Sequence, residues 1–562
     1  MKKRSAARPR LNYVYAALLA GSGAFVAESA LAQQVFADGT TVDVPANTEI
    51  DTGTTGGATG VAVRMENGGV VNAQGPITIR TGGAAAHAVF VGSGGHADLT
   101  KGGSITNTGN TAYGLWAAEP GSTGASIDAA GFTINTRATS ALAQKGGIIT
   151  LSNSDLTSTT GFGLHAVGTG AAGDTTAIRA TDVSIATGSD HAVESYNTSV
   201  VTLSTLNRAA NTITTQGQDA QGILANNKGT VQTTGGLAIQ TSGGASAAVL
   251  ARTGGRVTID GSGAVPVSIT TQGAFSEGLA AANASSSVQV TGGLSINTSG
   301  FWGHGVNAVG GGQVAITGSG PAATKIATTG EGAVGLSATG AGSAITASDL
   351  AVSTAQLSAH GAFAQAGASI AVGNGELSTA GDTAHGAYAT GSGSAINATS
   401  TKISTRGAGS FGAIAESGAN VALSKATVET SGAAAHAGAV RNGATLSASD
   451  STLTATGADA AALHSTGTAG TTNIATITNS TLTSAGGPSI QVDAGAADIT
   501  FTNSRAEQNN GRWLQVGGAD PANPANLNIV VDPSTLVGAA VTQAGSTSNV
   551  TLADSQWTMT GN

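Results

Sequence analysis

Short runs of alternating apolar and polar residues recur along this chain, and glycine-rich segments separate the runs. Within 402–457 one phrase occurs three times: Ile403 opens ISTRG, Val428 opens VETSG and Leu453 opens LTATG, at steps of 25 residues. A fixed period of about 20–50 residues is typical of stacked structural repeats. The pattern therefore predicts a repeat architecture.

The aliphatic residue that opens each phrase, called the anchor here, can be followed through most of the chain. There are 17 anchors over 432 residues, at spacings of 22 to 30 residues. The anchors are Ile50, Ile79, Ile105, Ile134, Leu156, Ile185, Ile213, Ile239, Ile269, Ile296, Ile326, Val352, Leu377, Ile403, Val428, Leu453 and Leu482. Each unit offers two or three short strands between glycine-rich corners.

Two further positions repeat with the anchor. Thr stands two residues after it in 13 of the 17 units, and Gly stands four residues after it in 12. Residues two apart in a strand share a face, so anchors and threonines should form inward columns, and glycine should lie where a Cβ would clash at a turn. One unit cannot bury its apolar face alone. Stacking therefore predicts an all-β fold, a parallel β-helix of about 17–20 coils and roughly 80 Å.

The two ends depart from the repeat. Three prolines and the longer run Leu527–Val531 follow Ile490. We therefore expect a repetitive β-helix over 33–489 and less regular coils over 490–562. The latter should include an irregular insertion near Asn509–Asn526 and at least two further coils through Leu536–Val541 and Val550–Thr560.

The first 32 residues have the pattern of a secretory signal. A positively charged start precedes the mostly apolar Tyr13–Val26, and Ala30-Leu31-Ala32 fits the small-x-small cleavage pattern. The apolar run is shorter than the roughly 20 residues of a membrane-spanning helix. We therefore predict a cleavable signal peptide over 1–32, with cleavage between Ala32 and Gln33.

Composition excludes several classes of function. Aromatic residues make up 3% and charged residues 9% of the chain, and there is no cysteine, so an aromatic-rich core, disulfides and thiolate metal sites are not expected. The net charge of −9 opposes binding to a phosphate backbone, so nucleic acid is not an expected partner. No cofactor is implied.

Histidine recurs eight residues after the anchor, at His87, His304, His360, His385 and His436. Metal capture or pH sensing is one interpretation. The other is a stack of flat rings at a coil corner, which we favour because Tyr113 and Phe411 occupy the same slot in other units.

Candidate sites of other kinds are few. No hydrolase motif of the Gly-x-Ser-x-Gly or His-Glu-x-x-His type occurs, and the pairs Asp382/His385 and Asp190/His191 are weak candidates without a nucleophile. We therefore expect no enzyme. The best binding patch is Phe301, Trp302 and His304, because large aromatic side chains are rare here and favour contact with a sugar or a protein.

Three segments resemble the pertactin-like passenger domains of autotransporters, which use type V secretion. They are TAGDTAHGAYA from Thr379, TNTGNTAYGLWA from Thr106 and the terminal LADSQWTMTGN from Leu552, which looks like the passage into an autochaperone-like segment. The resemblance implies a right-handed parallel β-helix, exported through the inner membrane of a Gram-negative bacterium and either held at the outer-membrane surface or secreted. Such passengers are commonly adhesins or other virulence factors.

The resemblance also implies partners. We expect a surface protein or glycan of a host or neighbouring cell, and an outer-membrane translocator barrel in the same polypeptide. No stretch of the sequence has the barrel pattern of alternating ten-residue segments. The chain is therefore expected to be a fragment, a truncated product, or a protein exported with a partner. Two alternatives to an adhesin are a β-helical polysaccharide lyase or hydrolase and a purely structural surface-layer protein.

Overall fold

Nearly all of the structure consists of short parallel strands joined by tight corners. The computed structural model describes residues 34–118, 124–318, 324–507, 510–517 and 522–560. The predicted signal peptide 1–32 and its cleavage site, Ala32 and Gln33, lie outside these residues. Within the described ranges the helical structure is one 3-10 turn, Gly57–Gly60. No helix there is long and apolar enough to cross a membrane.

Three sheets run along the molecule, and each coil contributes one strand to each of them. The strands of sheet A are Val35–Asp38, Val63–Glu66, Val89–Val91, Leu115–Ala117, Ala141–Gln144, Leu164–Val167, Val193–Tyr196, Ile223–Asn226, Val249–Arg252, Leu279–Ala282, Val306–Val309, Leu336–Thr339, Ala362–Gln365, Ala387–Thr390, Ala413–Glu416, Gly438–Arg441, Leu463–Thr466, Ile490–Thr502, Arg512–Val516 and Ala539–Thr542. The strands of sheet B are Thr41–Val44, Val70–Ala73, His96–Leu99, Ser126–Ala130, Ile148–Ser152, Ala177–Thr181, Val200–Ser204, Thr230–Thr234, Arg256–Gly261, Ser287–Gly292, Gln313–Thr317, Ala344–Ser348, Ser369–Gly373, Ala395–Thr399, Asn420–Ser424, Thr445–Ser449, Thr472–Thr478, the second half of Ile490–Thr502, Ala525–Asp532 and Thr547–Leu552. The strands of sheet C are Glu49–Asp51, Ile77–Thr81, Gly103–Asn107, Phe132–Thr136, Asp155–Ser158, Ser184–Thr187, Asn211–Thr215, Leu237–Thr241, Val267–Thr271, Leu294–Thr298, Thr324–Thr328, Leu350–Thr354, Glu376–Thr379, Lys402–Thr405, Thr427–Thr430, Thr452–Ala458, Thr481–Gly486, Arg505–Glu507, Thr535–Val537 and Gln556–Thr558.

The chain is thus an all-β solenoid of about 19 turns, as the sequence predicted. Every anchor lies in sheet C, and consecutive anchors from Ile50 to Leu482 are direct neighbours in register. No anchor is more than 2% exposed. The column of aliphatic side chains is therefore part of the core, together with buried residues of sheets A and B, because each coil covers the apolar face of its neighbour.

The threonine column also faces inward. Thr405 Oγ1 donates to the carbonyl of Ser410 at 2.6 Å, and the same bond to the residue five positions later occurs at Thr379 and Thr430. These bonds satisfy a buried carbonyl at the corner between sheets C and A.

The glycine column has a tighter requirement than the sequence indicated. A Cβ at Gly407 would lie 1.9 Å from the carbonyl oxygen of Gly381, and one at Gly432 would lie 1.9 Å from that of Gly407. The clash is therefore between successive coils and not within one turn.

The last coils differ from the prediction in two respects. The segment Asn509–Asn526 is not irregular throughout, because Arg512–Val516 is a strand of sheet A that pairs with Ile490–Val492 and, with a register shift, with Ala539–Thr542. The strands Ala539–Thr542, Thr547–Leu552 and Gln556–Thr558 belong one each to sheets A, B and C, so they form one further coil where at least two were predicted. The main departure from the repeat is the strand Ile490–Thr502, which passes from sheet A into sheet B without a corner.

Candidate functional site

Two of the three predicted patch residues lie on the surface at the corner between sheets C and A. Phe301 is 47% and Trp302 is 48% exposed, and their ring centroids are 6.2 Å apart. Phe275 of the preceding coil, which the sequence analysis did not single out, is 56% exposed and meets Phe301 edge-on at 5.8 Å. Phe275, Phe301 and Trp302 are called the aromatic ridge below.

Two residues of the ridge have a strained backbone. The φ angles of Phe275 and Trp302 are 55° and 53°, in the left-handed region. The same corner position carries small or polar residues elsewhere, such as Ser358 and Thr383. A bulky side chain there is uncommon and costs about 1–3 kcal/mol, a strain that tends to persist at functional sites.

His304 lies behind the ridge. Its Nδ1 accepts a hydrogen bond from the backbone N–H of Val334 at 3.1 Å. Burial lowers the pKa of His304 to about 4, so the ring is neutral near pH 7. Its centroid is 6.1 Å from that of Trp302. His304 therefore supports the corner, while Phe301 and Trp302 are available for contact.

Three of the other predicted histidines form the ring stack that we favoured. His360, His385 and His436 stack with Phe411 and with His464, which was not predicted, at centroid spacings of 4.0 to 5.2 Å. His87 stacks separately on Tyr113 at 4.8 Å. Because a backbone N–H always donates, the Nδ1 atoms that receive it carry no proton. The Nδ1 atom of His360 accepts from the backbone N–H of His385, and that of His385 accepts from the backbone N–H of Phe411. The Nδ1 atom of His436 accepts from the backbone N–H of Ala461.

The described residues give metal capture no support. They contain no group of three or more His, Asp or Glu side chains able to hold a metal ion. The two acid–histidine pairs differ. Asp382 accepts from the backbone N–H of Ala408. Asp190 Oδ1 accepts from the backbone N–H of His191 and lies 3.9 Å from its Nε2, while His191 Nδ1 accepts from the backbone N–H of Gln221.

The fold brings together one group of charged residues that lie far apart in the sequence. Glu416, Arg441 and Asp493 line one cleft of about 740 Å³ on the face of sheet A. Glu416 and Arg441 are direct neighbours on adjacent strands. Each stands 13 residues after its anchor, Ile403 or Val428. That shared offset was a signal in the sequence, whereas the placement of Asp493 was not.

The comparisons with known proteins found one structural likeness. A chain in the cryo-EM structure of the Vag8–C1 inhibitor complex is 15% identical in sequence, with a TM-score of 0.42 over 91% of this chain and 100% of that chain. No family model matches, and no curated protein matches. The described strands and their register define the class of the protein as a parallel β-helix.

Proposed function

We propose that this chain is a surface-exposed binding protein of the pertactin-like autotransporter passenger type, an adhesin or related virulence factor. The signal-like N-terminus and the resemblance of the repeat phrases support export and display by a Gram-negative bacterium. The observation that carries the proposal is the aromatic ridge. In a chain with only 3% aromatic residues, three of them project from one corner of consecutive coils.

The ridge suits recognition of a protein or glycan on a host or neighbouring cell. Exposed aromatic side chains provide large contact areas with few rotamers to fix, and Trp is enriched among residues that dominate binding energy. The backbone strain at Phe275 and Trp302 supports the same role, because smaller residues would be easier to place there. The chain acts by binding and not by catalysis.

The test is attachment of the purified protein to epithelial cells and to matrix proteins. We expect Phe301→Ala and Trp302→Ala each to reduce binding by tenfold or more. Leu206→Ala is the matched control, because Leu206 is an apolar side chain, 80% exposed, in a different coil. Equal binding by all four proteins would contradict the proposal. Release of reducing ends or unsaturated uronates from polysaccharides would favour the enzyme alternative instead.

A further inference from the structure

The cleft on sheet A has an open polar lining beside a partly exposed aromatic pair. Besides its three charged residues it is lined mostly by amide and hydroxyl side chains, among them Thr466, Gln491 and Gln515. Phe363 and Tyr388 stand on the same face in the two adjoining coils, with ring centroids 5.1 Å apart. The steps from Tyr388 to Gln515 correspond to about 24 Å along the rod.

The cation of the cleft has no anionic partner. The guanidinium of Arg441 lies over the ring of Phe411, at 4.6 Å from its centroid. It forms no hydrogen bond or ion pair with another described residue, and its buried Nε has no acceptor. A buried donor without a partner is unfavourable by about 1–3 kcal/mol, more for a charged group, so an acceptor supplied by a ligand would relieve it.

Both carboxylates of the cleft are already occupied. Tyr388 donates its hydroxyl to Glu416 Oε2 at 2.5 Å. Asp493 receives Gln491 Nε2 at 2.8 Å and faces His464 Nε2 at 2.9 Å. Burial acts to raise the pKa of Asp493, but these hydrogen bonds outweigh it and lower the pKa. Asp493 is therefore ionised near neutral pH and held in place.

This arrangement selects among ligands. A small multivalent anion such as phosphate would meet Arg441 but also the negative charges of Glu416 and Asp493. A ligand with one carboxylate and many hydroxyl groups fits better, because its carboxylate can pair with the guanidinium in a bidentate manner. Its hydroxyls can exchange hydrogen bonds with the amides of Gln491 and Gln515. The partly exposed rings of Phe363 and Tyr388 can cover a sugar face.

We infer that the cleft around Arg441 is a binding site for an acidic oligosaccharide, whose uronic or sialic acid carboxylate pairs with Arg441. The site is separate from the aromatic ridge, and it extends the proposed function without depending on it. An acidic side chain of a protein partner could also reach Arg441, but the lining favours a hydroxyl-rich ligand.

The test is calorimetric titration of the purified protein with sialyllactose and a hyaluronan disaccharide, which carry one carboxylate each, and with neutral maltohexaose. We expect at least one acidic sugar to bind and maltohexaose to bind at least tenfold more weakly. Arg441→Gln should reduce the affinity for that acidic sugar at least tenfold. Because the pairing is electrostatic, the affinity should also fall as the salt concentration rises.

The matched control is Arg252→Gln. Arg252 closes its own sheet A strand as Arg441 does, 13 residues after the anchor Ile239, but it is not part of the cleft. Gln515→Ala, three coils further along the cleft, gives a second variant if Arg441→Gln loses its β-sheet circular dichroism. No binding of any acidic sugar, equal binding of maltohexaose, or an equal loss in Arg252→Gln would overturn the inference. So would acidic peptides that bind at the cleft while sugars do not. Ridge variants should leave sugar binding unchanged, so this site and the ridge can fail separately.

Discussion

The regular coils between 324 and 466 differ from the last coils, from 490 to 560, in how their strands are joined. In the regular coils the threonine, the glycine and the ring recur in most units, and all three follow each of the anchors Leu377, Ile403 and Val428. The corners there are tight. In the last coils Ile490–Thr502 runs from sheet A into sheet B without a corner, after an irregularity in the pairing of Ser465 and Thr466 with it.

The corner between sheets B and C nevertheless stays regular in both regions. Backbone N–H groups of Ser451, Ser480, Ser504 and Ser534 each donate to the hydroxyl of the serine in the next coil, at 3.0 Å. The cleft thus lies where the corner between sheets A and B is missing, while the corner between sheets B and C keeps the coils in register. Repetition stabilises the rod, and a local break of the repeat creates a concave site.

The largest expected effect is a loss of stability at acid pH in the regular coils but not in the last coils. His360 and His385 have pKa values lowered by burial, to about 4 and about 3, and burial lowers that of His436 too. The unfolded chain binds these protons near pH 6.5, so the stabilisation is complete above that pH and is lost as the pH falls toward 4. The loss is about 1.4 kcal/mol per pH unit for each histidine.

The measurement is hydrogen exchange at pH 7 and at pH 4.5. Residues 490–560 contain no histidine, so the protection factors of their amides should be similar at the two pH values. The protection factors of the regular coils should fall at pH 4.5. The triple variant His360→Phe, His385→Phe, His436→Phe keeps flat rings in the stack, as Phe411 does, and should reduce this difference. Equal acid sensitivity of the variant and the original chain would refute the role of the stack.

The second effect concerns the glycine column. Gly407→Ala should destabilise the protein by about 3 kcal/mol, because its Cβ would be forced against the Gly381 carbonyl and both coils must shift. Gly373→Ala is the control, since its nearest neighbour would be the Ser348 Cβ at 3.9 Å. Urea denaturation followed by circular dichroism measures both. A similar midpoint for the two variants would argue against contact between coils as the constraint.

A smaller effect is expected from the threonine column. Thr405→Val keeps the shape but removes the donor to the Ser410 carbonyl, which should reduce the free energy of unfolding by about 1–3 kcal/mol. Thr399→Val replaces an exposed threonine of sheet B and should change it by less than about 0.5 kcal/mol. The column has no such role if both variants denature at the same urea concentration.

The smallest effect on stability is expected at the ridge. Trp302→Asn relieves the strain of a bulky residue at positive φ but removes the contact of the indole with Gly332. These changes oppose each other, so the free energy of unfolding should differ from that of the original chain by less than about 1 kcal/mol, while cell binding falls. A marked loss of stability would assign Trp302 to packing instead.

Much of the fold could be predicted because the positions that stack on one another recur at fixed offsets in the sequence. Anchors such as Ile326 and Leu453 and glycines such as Gly432 recur at fixed offsets, and stacking requires the same side chain to meet itself in the next coil. The insertion near 509–526 was predicted too broadly, because its prolines concealed the strand Arg512–Val516.

The sequence by itself determined the solenoid, its sheet C core, the inward threonines and the ring-bearing slot, because each depends on a spacing within or between units. Tertiary structure alone decided which surface side chains meet. Phe275 joins Phe301 only because consecutive coils stack at this corner. Glu416, which neighbours Arg441 on the adjacent strand, receives the Tyr388 hydroxyl, and Arg441 makes no ion pair with another described residue. Asp493 reaches the cleft because the strand Ile490–Thr502 has no corner between sheets A and B. The spacing of the repeat does not predict that missing corner.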